Sequence, residues 1–142
     1  MADTFDLTGG AACIPLDAAG KVFLLKNTVT MPECVSTDIL QVLPIPAKTL
    51  VLSTAFRMST IAVGTTCTGT VGITGGTANG FDAAVDFKTA ITSIVQGTPS
   101  DTYTAAGGHY AHTADTIDVV ATISAVTTWP VFDVWALCLN LD

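Results

Sequence analysis

Trp129-Pro130-Val131-Phe132-Asp133-Val134-Trp135-Ala136-Leu137-Cys138-Leu139-Asn140-Leu141 is the stretch that decides the fold, and it holds both tryptophans of the chain. Alternate residues of a β-strand share a face. Read that way, Val131, Asp133, Trp135, Leu137, Leu139 and Leu141 fall on one side. Phe132, Val134, Ala136, Cys138 and Asn140 fall on the other. Both sides are largely apolar, whereas a strand with one wet face alternates apolar with polar residues. Such a strand is covered twice, by its own fold or by a neighbouring subunit. The rest of the chain supplies the partners it needs.

Upstream, residues 21–29 and 38–43 read as strands, the first ended by Met31-Pro32-Glu33 and the second by Pro44-Ile45-Pro46. Residues 49–60 alternate Leu50, Leu52, Thr54, Phe56 and Met58 against Val51, Ser53, Ala55, Arg57 and Ser59, so the single arginine sits on the second face. Residues 66–74 form another strand, rich in threonine and valine, whose stiff χ1 suits a pleated surface. Gly75-Gly76-Thr77-Ala78-Asn79-Gly80 is the strongest turn signal. After it, Phe81, Ala84, Val85 and Lys88 recur at helical spacing and predict one short helix over 81–90. A short strand at 90–95, a polar loop at 96–106 and strands at 107–111 and 116–126 complete the series. About eight strands at this spacing predict an all-β fold, a single-domain β-sandwich or jelly roll over residues 21–142. Residues 1–20, with Gly9-Gly10, Pro15 and Gly20, read as an extended N-terminal arm.

Composition narrows the function classes. Charged residues make up only 12% of the 142 and 49% are hydrophobic, against about a quarter charged in an average soluble domain. So few charges argue for apolar surface hidden by self-association or by a larger assembly. The net charge is −7, with Arg57, Lys21, Lys26, Lys48 and Lys88 scattered. Phosphate binding needs clustered cations, so no direct nucleic-acid contact is expected. Apolar runs fall short of the roughly 20 residues of a membrane helix, so no membrane partner is expected either. Met1-Ala2-Asp3-Thr4-Phe5-Asp6 lacks a basic-then-apolar leader pattern, which makes synthesis in the cytoplasm the expectation. Cys13, Cys34, Cys67 and Cys138 have no metal-ligand spacing and read as buried free thiols.

Catalytic chemistry finds little footing. His109 and His112 lie three apart on a strand and point to opposite faces, so they cannot chelate one metal. No Gly-x-Ser-x-Gly elbow accompanies them. The pairs Asp82/Asp86 and Asp115/Asp118 lack an EF-hand pattern and read as a solvated acidic rim. Gly75–Gly80 lacks the Gly-Lys-Ser/Thr ending of a phosphate loop. The expectation is no catalytic residue, no metal and no cofactor.

Four pieces together carry a family likeness: Ile45-Pro46-Ala47 entering a strand, Gly75-Gly76-Thr77-Ala78-Asn79-Gly80-Phe81-Asp82, Thr113-Ala114-Asp115-Thr116-Ile117-Asp118, and Val134-Trp135-Ala136-Leu137-Cys138-Leu139-Asn140-Leu141-Asp142. From residue 38 to 142 the chain resembles the small capsid decoration (cement) proteins of tailed bacteriophages. The resemblance implies a non-enzymatic virion protein on the capsid exterior, a homotrimer that binds the major capsid protein and stabilises the shell. Subunit contacts are then expected from Trp129, Phe132, Val134, Trp135 and Arg57, and capsid contacts from Thr4, Phe5, Leu7 and Ile14 of the arm. The alternative reading is a phage tail or spike component, or a carbohydrate-binding β-sandwich module using the exposed aromatics.

Overall fold

In the computed structural model, which describes residues 2–96 and 101–142, the last strand runs through the middle of one sheet of a two-sheet sandwich. In chain order the strands are β1 (Thr4–Asp6), β2 (Ala12–Pro15), β3 (Val22–Thr30), β4 (Ile39–Ile45), β5 (Thr49–Thr60), β6 (Thr66–Gly72), β7 (Asp82–Asp86), β8 (Val95–Gln96), β9 (His109–Ala111), β10 (Asp115–Ser124) and β11 (Val131–Asn140). A single helical turn, α1 (Thr102–Ala105), interrupts them. The five-stranded sheet runs β1-β4-β10-β6-β7. The six-stranded sheet runs β2-β3-β11-β5-β8, with β9 also paired to β5. The chain is all-β, as its alternation predicts.

β11 is antiparallel to both β3 and β5, so its backbone is satisfied on both sides. Its inward residues Phe132, Val134, Ala136 and Cys138 are fully buried. They meet Leu40, Val71, Ile117 and Val119 from the five-stranded sheet in one continuous core. At its centre the Phe132 ring lies 5.6 Å from Phe56 and 5.1 Å from Phe87, centroid to centroid. These rings are tilted rather than stacked, the arrangement aromatic quadrupoles favour.

Two local departures from the expected pattern have one cause. No helix forms over 81–90: Asp82–Asp86 is β7, paired to β6. Val85 faces Gly69 and Asp82 faces Val71, so three steps on β7 match two on β6. That β-bulge inserts a residue and leaves Asp82 and Val85, three apart, both buried, a spacing that mimics a helical face. A second irregularity, between Leu137/Cys138 and Ser53/Val51, reverses the alternation of β5. Val51 is therefore buried although Arg57, placed on the same face by counting, is exposed.

Residues 2–15 lie along the sandwich instead of projecting from it. β1 pairs in parallel with β4, and β2 pairs antiparallel with β3, so the segment crosses from one sheet edge to the other. The Asp3 backbone N–H donates to Asp38 Oδ1 (2.8 Å), and buried Asn27 donates from Nδ2 to both Leu7 O and Val42 O (2.8 Å each). One side chain of the six-stranded sheet thus holds the segment and the opposite sheet together. Cys34, Cys67 and Cys138 are buried, and burial pushes their thiols up to about 11, 11 and 12. Cys13, on the edge strand β2, is exposed, so three thiols rather than four belong to the core. Of the loop expected at 96–106, residues 97–100 lie outside the described set.

Candidate interaction surface

The outer face of the six-stranded sheet follows from the register. Residues opposite one another on antiparallel strands share a face. Leu137 stands between Leu24 and Ser53, Trp135 between Lys26 and Ala55, and Asp133 between Thr28 and Arg57. Next to Leu24, β2 contributes Ile14, which is exposed. The result is an aliphatic band beside a tryptophan, followed by a small polar cluster. A groove of about 250 Å³, floored by Leu24, Ala55, Trp135 and Leu137, opens on this face.

The Trp135 ring has a cation on each side, Lys26 Nζ 5.9 Å and the Arg57 guanidinium carbon 5.8 Å from its centroid. Arg57 also bonds Asp133 Oδ2 at 3.0 Å, and the Thr28 hydroxyl donates to Asp133 Oδ1 at 2.7 Å. Burial pushes the Asp133 carboxyl upward. The Thr28 hydroxyl, Arg57 and the Lys26 charge outweigh it and hold the group below its ordinary value. Its contribution to stability is therefore present above the unfolded carboxylate range of about 3.9 and lost as pH falls through the depressed value. Asp133→Asn is expected to cost about 1–2 kcal/mol at neutral pH and to flatten the acid limb of a stability-versus-pH curve measured by urea unfolding.

The opposite outer face has a different character. Thr66, Thr68 and Thr70 of β6 stand beside Ser124, Thr122 and Val120 of β10, and Asp86 of β7 lies beyond Thr68. One broad side of the molecule is hydroxylated and acidic. The other is apolar and carries Lys26 and Arg57.

The structure separates the residues expected to form subunit contacts. Trp135 and Arg57 lie together on the outer face. Phe132 and Val134 are fully buried in the chain's own core and cannot reach a neighbour; the sequence could not tell which apolar side of β11 faced inward. Trp129 precedes β11, half-buried against the core and remote from the Trp135 face. Of the arm residues, Phe5 and Leu7 are half-buried against the core, while Thr4 and Ile14 are exposed. Sequence reading missed Leu24 and Lys26, although alternation against buried Phe23 and Leu25 marks both as outward.

The motifs weighed for chemistry have local roles. Asp118 accepts from Thr74 N (3.1 Å) and from the Thr116 hydroxyl (2.6 Å), and Asp82 accepts from Ala84 N (2.9 Å). Burial pushes the Asp82 carboxyl upward. The half-buried His109 ring packs 4.5 Å from Tyr103, and burial holds its pKa down. Among the described residues, no group of three His, Cys, Asp or Glu side chains is placed to hold a metal ion.

No protein-family model matches the chain, and no curated protein matches it. Solved structures do. A chain from the capsid of Ralstonia phage GP4 superposes with a TM-score of 0.70 at 16% identity, covering 98% of this chain and 99% of that one. A chain of the acid-stable capsid of Helicobacter pylori bacteriophage KHP30 gives 0.59 at 12% identity, covering 83% and 86%. One from the capsid asymmetric unit of cyanophage Pam1 gives 0.57 at 19% identity, covering 83% and 84%. Identities this low speak for architecture, and in that sense the chain shares its fold, nearly end to end, with a polypeptide found in a phage capsid.

Proposed function

We propose that the chain is a non-enzymatic structural protein of a phage virion that decorates the capsid exterior and stabilises it as a homotrimer bound to the major capsid protein. The observation that carries this reading is the near-complete overlap with the Ralstonia phage capsid chain. The apolar outer face of the six-stranded sheet adds the physical motive. It exposes Ile14 and carries half-buried Leu24, Trp135 and Leu137, surface that a second copy covers at a gain of roughly 25 cal/mol per Å² before ordering costs. The hydroxylated, acidic face is suited to solvent. Repetition over a shell multiplies each modest contact. In the arm, Phe5 and Leu7 hold the segment to its own body, while Thr4 and Ile14 are left to touch a neighbour.

Adding purified protein to capsids that lack it, followed by electron microscopy, tests the reading: density on the outer surface is expected, and bare capsids would sink it. Trp135→Ala tests the subunit contact. A half-buried tryptophan at an interface centre is worth about 2 kcal/mol or more of association. The variant is expected to fold while its trimer weakens by about thirtyfold in sedimentation equilibrium. An unchanged trimer would remove Trp135 from the interface.

A further inference from the structure

At the end of the sandwich, where the arm meets the loop between β3 and β4, lies a second cavity of about 350 Å³. Phe5, Val126 and Trp129 are among its apolar walls, and Asp3, Glu33 and Asp38 line it as well. Asp38 is committed. Its two oxygens accept from Val35 N (2.9 Å) and Asp3 N (2.8 Å), and these bonds keep its carboxyl below the usual range. The Asp3 and Glu33 carboxylates make no hydrogen bond or ion pair among the described residues. An apolar slot with an aromatic wall and unspent negative charge is complementary to a side chain with a hydrocarbon stem and a cationic head.

We infer that this cavity receives a lysine or arginine side chain from a basic segment of another protein. A second copy is a poor donor. Each copy carries net charge −7. Of its cations, Lys48 is paired with Asp142 (3.0 Å) and Arg57 with Asp133 (3.0 Å). Lys21 and Lys88 bond the carbonyls of Asp142 and Thr65 (2.9 and 3.2 Å), and Lys26 lies over Trp135. The inference deepens the proposed attachment to a capsid and rests on it for the partner's origin, while the cavity's preference for a cation stands alone.

The test has two arms. In Trp135→Phe protein, where Trp129 is the sole tryptophan, N-acetyl-arginine amide is titrated against its neutral citrulline equivalent while Trp129 emission is followed. The cationic probe is expected to bind saturably and the citrulline probe several-fold more weakly. Glu33→Gln is expected to weaken the cation by about three- to fivefold, the scale of an exposed ion pair, and added salt should do the same. Equal binding of both probes, or indifference to Glu33→Gln, overturns the inference. In the second arm, Glu33→Lys is expected to lower occupancy on capsids while the oligomer persists. Dissociation of the oligomer instead would make a second copy the occupant and refute the assignment to another protein. Wild-type protein that binds arginine but no capsid would overturn the attachment role and leave the cavity's chemistry intact.

Discussion

Phe132→Ala is expected to cost about 3–5 kcal/mol of folding stability, a fall in melting temperature on the order of 10 °C or more. The ring is fully buried and touches aromatic partners from both sheets, Phe56 of β5 and Phe87 just beyond β7. Removing it deletes the transfer energy of a benzyl group and leaves a cavity that three rigid strands cannot close. Phe132→Leu keeps most of the volume and is expected to cost less than half as much. Denaturant unfolding of the two variants measures the difference. Equal and small losses would mean that β11 does not anchor the core. Trp135→Ala, three residues on, is the contrasting case. Its side chain lies outside the core, so its loss is expected to cost folding little and to act on the proposed association instead.

Gly72→Ala is expected to cost about 3 kcal/mol for the opposite reason, too many atoms instead of too few. A Cβ at this position would overlap Thr77 O and come within 2.6 Å of the Ala78 carbonyl carbon. Both obstacles are backbone, which cannot rotate away. The loop they belong to is closed by Ile73 N and Gly80 N donating to Thr77 O (3.1 Å each). It is fastened by Thr77 N donating to the buried Tyr103 hydroxyl (2.8 Å). Lifting the loop breaks that set together. Thermal melts of Gly72→Ala and of Gly75→Ala separate crowding from backbone strain. Gly75 has open space around its Cα but a φ of +87°, so its loss is expected to stay near 1 kcal/mol.

What could be read from the chain alone follows from how far each signal travels. Alternation along 129–141 and 49–60 identified strands because a strand's period is local. Which side of β11 faced the core was not local. Val134 and Trp135 are both apolar neighbours, and only the phenylalanines arriving from β5 and the segment after β7 decide between them. Bulges defeated counting at Asp82–Val85 and at Val51, since one inserted residue shifts every later side chain to the other face. The arm's pairing was hidden for the same reason as any edge strand of three or four residues: its partners, β4 and β3, lie beyond the stretch itself. The outer-face cluster was half legible. Arg57 and Trp135 stood out as rare residue types, whereas Lys26 and Thr28 join them only through register.

The course of residues 2–15 has a consequence for crowding. Without them, β3 and β4, strands of nine and seven residues, would be bare margins on the same flank of the molecule, the sort of margin along which strangers zip together. The arm substitutes two short ones, of three and four residues, ending in Asp6 and Pro15. A negative charge and an imino acid are poor templates for another backbone. The flank so capped does not propagate into fibres, even where copies of the chain are crowded together.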